Sequence, residues 1–269
     1  MIVLIRFYPW IQLEPLVIIL EVHDYVDKVS LKVVVDNNAG VPGLKVRWGL
    51  SIFVQTDRST FLFDTGPDPV ALEHNLRHLG IDPQEIEFVF ISHGHGDHMG
   101  GLNFFARIKK NLPVFIPNVP SLERCVRNMG LNPIPITYPK NIAPGIFSTG
   151  TLNGMIREQG LIIHIRDRGG ILLVGCSHPG LTRMIRAAHN VLKRDIFMVM
   201  GGFHLGGTRK GELDAIVETF NQFNVSMVVP IHCSGEMARE YFKRVLGNRC
   251  YCGGIGLEAT ISGDQIKIK

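Results

Sequence analysis

The sequence predicts one α/β domain in which helices cover the faces of β-sheets. Two observations predict it: hairpin-like apolar runs fill the first half, and strands alternate with helices through the second. A third sets the scale. The 269 residues are 45% apolar and 19% charged, enough to bury a large core and too weakly charged for long disordered tails. No fixed-period repeat, low-complexity tract or linker interrupts the pattern, so residues 30–269 are expected to form a single domain.

The chain begins MIVLIRFYPWIQLEPLVIILEV. Arg6, Pro9, Glu14 and Pro15 break this apolar run short of the ~20 residues a membrane span requires. No small-residue cleavage site follows. Residues 1–29 are therefore expected to be an extension packed on the core, as strands or an arm, in place of a membrane anchor. An oligomer contact or an over-extended start would also account for them.

From Leu31 the pattern is regular. LKVVVDN predicts a strand ending in a turn, and LSIFVQTDRSTFLFDTG two strands joined at Asp57–Ser59. ALEHNLRHLG has helical spacing, with Asp68–Pro69 as its start signal and a glycine as its stop. EFVFIS is a strand, GLNFFARIKKN a short helix, LPVFIPN a strand and SLERCVRNMG a helix. Residues 132–145, NPIPITYPKNIAPG, are rich in proline and predict a mobile loop over a site. LIIHIRD and ILLVGC follow as strands around a turn at Gly169–Gly170. Helix TRMIRAAHNVLK, strand IFMVMGG, helix ELDAIVETFNQF, strand VSMVVPI and helix EMAREYFKRVL alternate before two last strands, GLEATISG and QIKIK.

The net charge of +4 is compatible with an anionic small substrate and too mild and scattered for nucleic acid. Five cysteines without a framework spacing indicate reduced thiols and a cytoplasmic protein. Cys250 and Cys252 lack a second ligand pair for a zinc site and read as packed thiols.

Residues 93–98, HGHGDH, place three imidazoles and a carboxylate directly after an apolar strand. Three further strands end in histidine: ILLVGC in SH, IFMVMGG in FH and MVVPI in HC. A lone histidine at a strand end is more often structural. Four such tips among 11 histidines point to a site, because loops at the carboxyl ends of strands bring distant segments together. Imidazole and carboxylate suit zinc, with iron or manganese as alternatives. The glycines between them are expected to permit a tight bend. Two ions about 3.5–4 Å apart could share a hydroxide that serves as nucleophile at neutral pH. His74 and His78, four apart on a helix without carboxylates nearby, read as solvated or capping residues. His164 reads as a surface or packing residue, and Cys233 as a packed small side chain.

HGHGDH, with FLFDTG about thirty residues upstream, resembles the metallo-β-lactamase superfamily. The resemblance implies an αββα sandwich, two mixed sheets face to face with helices outside, and one or two divalent ions. WGLSIFV, FDTGPDP, HNLRHLGID, SHGHGDHMGGL, GIFSTG, GCSHPG, MGGFHL and PIHCSG, in this order, resemble a narrower branch, the 7,8-dihydropterin-6-yl-methyl-4-(β-D-ribofuranosyl)aminobenzene 5′-phosphate synthases of methanopterin biosynthesis. Carried over, His93 and His95 bind a first metal, Asp97 and His98 a second, and His232 joins the second. Asp64 holds the histidine loop from behind. Where many members have a bridging aspartate in TGD, this chain has GCSH. His178 is expected to supply the missing ligand and complete the first site; Cys176 is the weaker candidate for that place and reads first as a small buried thiol at a strand end, behind the ligands. His204 is expected beside the ligands, as an acid/base or substrate contact, with a place among the ligands as the alternative; with Asp97 it is the catalytic candidate.

Three functions compete. The first is displacement of pyrophosphate from a dihydropterin diphosphate by an arylamine, with Arg157, Arg166, Arg168 or Arg183 as candidate phosphate contacts. The second is hydrolysis of a phosphodiester or lactone. The third is a metal-bearing ligand sensor without turnover, against which the intact ligand set argues.

Overall fold

A computed structural model describes residues 24–263 and 265–269. The expected extension at residues 1–29 lies outside the described residues up to position 23. Among the described residues no helix is long and apolar enough to cross a membrane.

The strands in chain order are β1 (Lys28–Val35), β2 (Ser51–Thr56), β3 (Thr60–Phe63), β4 (Phe88–Phe90), β5 (Pro113–Pro117), β6 (Asn132–Ile136), β7 (Lys140–Ala143), β8 (Ile146–Ser148), β9 (Leu161–Ile165), β10 (Gly169–Val174), β11 (Ile196–Gly202), β12 (Met227–Ile231), β13 (Glu258–Ser262) and β14 (Gln265–Ile268). The helices are α1 (Pro69–His78), α2 (Gly96–Met99), α3 (Leu102–Ile108), α4 (Pro120–Asn128), α5 (Leu181–Leu192), α6 (Lys210–Gln222) and α7 (Glu236–Leu246). One sheet runs β14-β13-β1-β2-β3-β4-β5-β6, the other β12-β11-β10-β9-β8-β7. Both are mixed. The first is antiparallel up to β3 and parallel from there to β6. The second is parallel from β12 to β10 and antiparallel beyond.

Side-chain alternation along the strands sorts the apolar residues into layers. Leu31, Ile52, Phe61, Phe63 and Phe90 of the first sheet pack in one cluster with Ile163, Ile171, Leu173, Met200 and Val229 of the second. Their neighbours point the other way. Leu62, Val89 and Val114 meet Leu72, Phe105 and Val126 of α1, α3 and α4. Leu172, Val199 and Val228 meet Ile185, Phe220 and Phe242 of α5, α6 and α7. The result is the expected αββα sandwich.

Local chemistry sets the helix ends. Asp68 caps α1 by accepting the Ala71 N–H at 2.7 Å, with proline next in line. Gly80, at φ 69°, ends it.

The proline-rich stretch 132–145 is not a loop. It supplies an edge strand to each sheet: β6 pairs with β5, and β7 with β8. The Asn132 N–H donates to Leu112, so the N–H positions at 132, 134 and 136 face β5. Pro133 and Pro135 fall on the outward positions, where an edge strand needs no donor.

Candidate metal centre

The carboxyl ends of β4, β10, β11 and β12 converge at one end of the sandwich and carry the histidines. Close approach at these tips requires glycine at two places. A Cβ on Gly175 would stand 2.1 Å from Ser92 Oγ, and one on Gly202 would stand 2.3 Å from the Gly175 carbonyl oxygen. By contrast, Gly94 and Gly96 have ordinary φ values and room for a Cβ. The loop HGHGDH therefore does not turn on glycine freedom, contrary to expectation: His95 is extended and α2 begins directly after it.

Six histidine rings form one basin. Ring centroids lie 4.6 Å apart for His93 and His95, 4.1 Å for His93 and His98, and 4.8 Å for His93 and His178. His98 stands 4.9 Å from His232, and His178 4.7 Å from His204. Asp97 completes the group, with Oδ2 3.5 Å from His232 Nε2 and 3.7 Å from His98 Nε2. Of the residues singled out in the sequence as ligands, all six meet here.

The rings of His93, His98 and His232 have hydrogen-bond partners outside the basin, Ser92, Asp64 and Asn37. Asp64, fully buried and at φ 56°, accepts the Ser92 N–H and the Ser92 hydroxyl at 2.7 Å each. It also bonds His98 Nδ1 at 2.7 Å, which turns His98 Nε2 inward. Asn37 Oδ1 accepts from His232 Nδ1 at 2.7 Å, and Asp36 accepts the His232 N–H at 3.1 Å. Glu158 accepts the N–H groups of Gly175, Cys176 and Ser177 at 3.0 Å each and of His178 at 2.8 Å. Second contacts of this kind orient metal ligands and set their tautomers.

The ring nitrogens left facing inward fit a metal. The Nε2 atoms of His178 and His232 are buried without a hydrogen-bond partner, an expensive state for a polar atom unless something binds it. Burial and the neighbouring imidazoles, His204 first, hold His178 down at about 4. Burial does the same to His93, pushing it well below the usual imidazole range. Both are neutral donors at pH 7. Burial alone would raise the Asp97 carboxyl, but His232 and His98 beside it hold it at about 2, so it is a carboxylate. Neutral imidazoles and one carboxylate are the donor forms a divalent ion requires.

Residues 46–118 match the family model described as the metallo-beta-lactamase superfamily. The chain is 24% identical to the 7,8-dihydropterin-6-methyl-4-(β-D-ribofuranosyl)-aminobenzene-5′-phosphate synthase of Methanocaldococcus jannaschii, over 81% of this chain and 91% of that one. A solved metal-dependent hydrolase of the beta-lactamase superfamily superposes with a TM-score of 0.75 at 27% identity, over 87% of this chain and 100% of that one. The chain has the metallo-β-lactamase fold. A diphosphatase of the PhnP family shares its fold, with a TM-score of 0.60 at 15% identity over 87% of this chain and 97% of that one. These relatives and neighbours are enzymes.

Cys176, expected as a small buried thiol at a strand end, sits just past the end of β10. It is 3% exposed, and its Sγ lies 3.3 Å from His98 Nε2, inside the basin. The bare glycine before it lets the end of β10 press against Ser92 and carries the thiol inward.

Beside His95, His178 and His204 opens a cavity of about 680 Å³ with mostly apolar walls, among them Ile156, Leu181, Phe203 and Ile216. Arg166 and Arg168 do not line it. They sit on the turn between β9 and β10, at the opposite end of the sheet, where Arg166 pairs with Asp27 and Arg168 donates to the Gly263 carbonyl. Arg157 and Arg183 donate to the Asn118 and Asn153 carbonyls. His74 bonds the Gly43 carbonyl, and His164 bonds that of Asp24, so both lie outside the centre.

Sequence reasoning missed Asp36, Asn37, Glu158 and Ser92. A polar DNN at a strand tip was the available signal for the first two. Glu158 offered a weaker one, a carboxylate three residues before the apolar run LIIHI.

Proposed function

We propose that the protein is a cytoplasmic metal-dependent enzyme acting on a small phosphorylated or otherwise anionic substrate. His93, His95 and His178 would hold one divalent ion, and Asp97, His98 and His232 a second, with zinc favoured and iron or manganese as alternatives. The observation that carries this reading is the pair of partnerless buried Nε2 atoms, on His178 and His232, within one ring of histidines. Ions bound there would supply Lewis acidity to a phosphoryl or carbonyl oxygen.

The chain's own residues divide the remaining work. Asp64, Asn37 and Glu158 fix the ligand rings. Asp97, held as a carboxylate, accepts protons only at strongly acid pH and acts by charge. His204, exposed at the cavity mouth beside His178, is placed to exchange a proton with a bound substrate. The apolar wall excludes water from one side of the reacting group.

Two reactions fit. The likeness to the synthase extends over most of both chains and favours displacement of pyrophosphate from a dihydropterin diphosphate by an arylamine, a step of methanopterin-type biosynthesis. The closer structural likeness to a metal-dependent hydrolase favours hydrolysis of a phosphodiester or lactone. Incubation with a pterin diphosphate with and without the arylamine, and with simple diesters and lactones, separates them. Pyrophosphate release that depends on the amine is the expected result. Turnover of a diester or lactone alone assigns the hydrolase, and binding of these compounds without any turnover contradicts both.

A further inference from the structure

Trp48 is a large aromatic side chain left uncovered beside the metal centre. It is 63% exposed, whereas an indole in a folded chain is ordinarily well buried. Its ring stands 5.4 Å from that of His232, tilted by 59°. The histidine rings follow one another in the order His204, His178, His93, His98, His232, at centroid separations of 4.1 to 4.9 Å, and Trp48 continues that row. The apolar cavity opens at the His204 end. Along the row, the metal basin therefore lies between an apolar cavity and an exposed indole.

The backbone fixes Trp48 from both sides. The Lys45 N–H donates to the side chain of the buried Asn75 at 2.7 Å, and Asn75 donates back to the Lys45 carbonyl at 3.0 Å. The Arg47 N–H donates to the Asp36 carbonyl at 3.2 Å, and the Leu50 N–H to the Asp97 carbonyl at 3.1 Å. Asp36 also accepts the His232 N–H, so Trp48 is fastened to the segments that carry the centre. Gly49 passes so close that a Cβ there would stand 2.4 Å from the Asp97 carbonyl oxygen. An aromatic face held in place before anything binds loses little freedom when a flat ring settles on it.

We propose that Trp48 is the platform on which a flat heteroaromatic ring of the substrate stacks, while the phosphorylated group attached to that ring reaches the metal basin beside His232. The proposal rests on the reading of the site given above and deepens it, by assigning the substrate's ring a place. A flat π-system gains stacking energy on an open indole face, beyond the area it covers. The cavity at the far end of the row is then left for the second reactant, the arylamine. The two partners of a displacement would meet over the basin from opposite sides, each held by its own surface.

Equilibrium dialysis of the zinc-loaded full chain tests this without turnover. The probes are 6-hydroxymethylpterin, the ring without its diphosphate, and inorganic pyrophosphate, the anion without the ring. Wild type is expected to bind both. Trp48→Ala is expected to bind the pterin about tenfold to a hundredfold more weakly, the range for loss of one aromatic stack, with pyrophosphate binding unchanged. Trp48→Phe is expected to keep most of the pterin affinity. Equal pterin affinity in wild type and Trp48→Ala overturns the platform and leaves the metal-dependent reading standing. A Trp48→Ala chain that loses both probes alike overturns it too, as does one that sediments as a monomer where wild type is a dimer, since a second copy would then cover the indole. Wild type that binds pyrophosphate but no pterin overturns the platform and the pterin substrate. Folded wild type that takes up no zinc, or binds neither probe, overturns the metal-dependent reading together with this one.

Discussion

Asp64 Oδ2 and His98 Nδ1 lie 2.7 Å apart with neither side chain exposed to solvent, and this contact aims the His98 ring at the metal basin. Burial disfavours a charged His98, but the Asp64 carboxylate outweighs it and raises the imidazole in the metal-free protein. Asp64→Asn keeps the shape but removes the charge, and metal affinity is expected to fall about tenfold to a hundredfold. Competition against a chromophoric chelator measures the change. An unchanged affinity would mean that Asp64 serves only the fold.

Glu158→Gln tests the other support. The carboxylate receives four backbone N–H groups from the segment between Gly175 and His178. An amide must turn its NH₂ toward at least one of them. Urea unfolding is expected to show a loss of about 1–3 kcal/mol, the cost of a buried donor left unpaired. Equal midpoints and slopes for variant and wild type would refute this role.

The lowered His178 gives a pH dependence with a definite sign. In the metal-free folded protein it titrates at about 4, against 6.5 for the ordinary imidazole. Between these values the unfolded chain takes up a proton that the folded one refuses. The stability due to this group is thus present above pH 6.5 and lost progressively as pH falls toward 4. Wild type and His178→Gln, unfolded in the presence of chelator, should therefore diverge across that window, with wild type losing more. Parallel curves would show that the imidazole is not desolvated.

How much of this was readable in the sequence follows from the range of each interaction. The apolar periods of β1 to β5 and of β9 to β12 were readable because strand alternation is local. HGHGDH was readable because its ligands are adjacent. The edge strands at Pro133 and Pro135 were not, since proline forbids only one side of a strand and the sequence does not say which side faces a neighbour. Glu158 and Asp36 escaped because their partners lie 17–20 and 196 residues away. The direction of the Cys176 thiol depends on the packing of Gly175 against Ser92, which joins two sheets and leaves no mark on local spacing. Arg166 and Arg168 misled because a hairpin has two ends, and theirs is the far one.

His204 is expected to act on substrate, not on the metal. His204→Ala should keep its metal content and lose about 10²–10⁴-fold in kcat, the range for a general acid or base. Elemental analysis beside steady-state kinetics on the substrate found by the panel separates the two effects. A variant that loses metal in proportion to activity would make His204 a ligand instead.

The most direct test of the dinuclear centre is the zinc content of the purified chain and of His178→Ala and His232→Ala, each confirmed folded by circular dichroism. The account predicts about two ions per wild-type chain, as in a two-metal site. It predicts about one in each variant, because each substitution removes a ligand from a different set. Equal content in all three proteins, or folded wild type that binds no zinc, would contradict it.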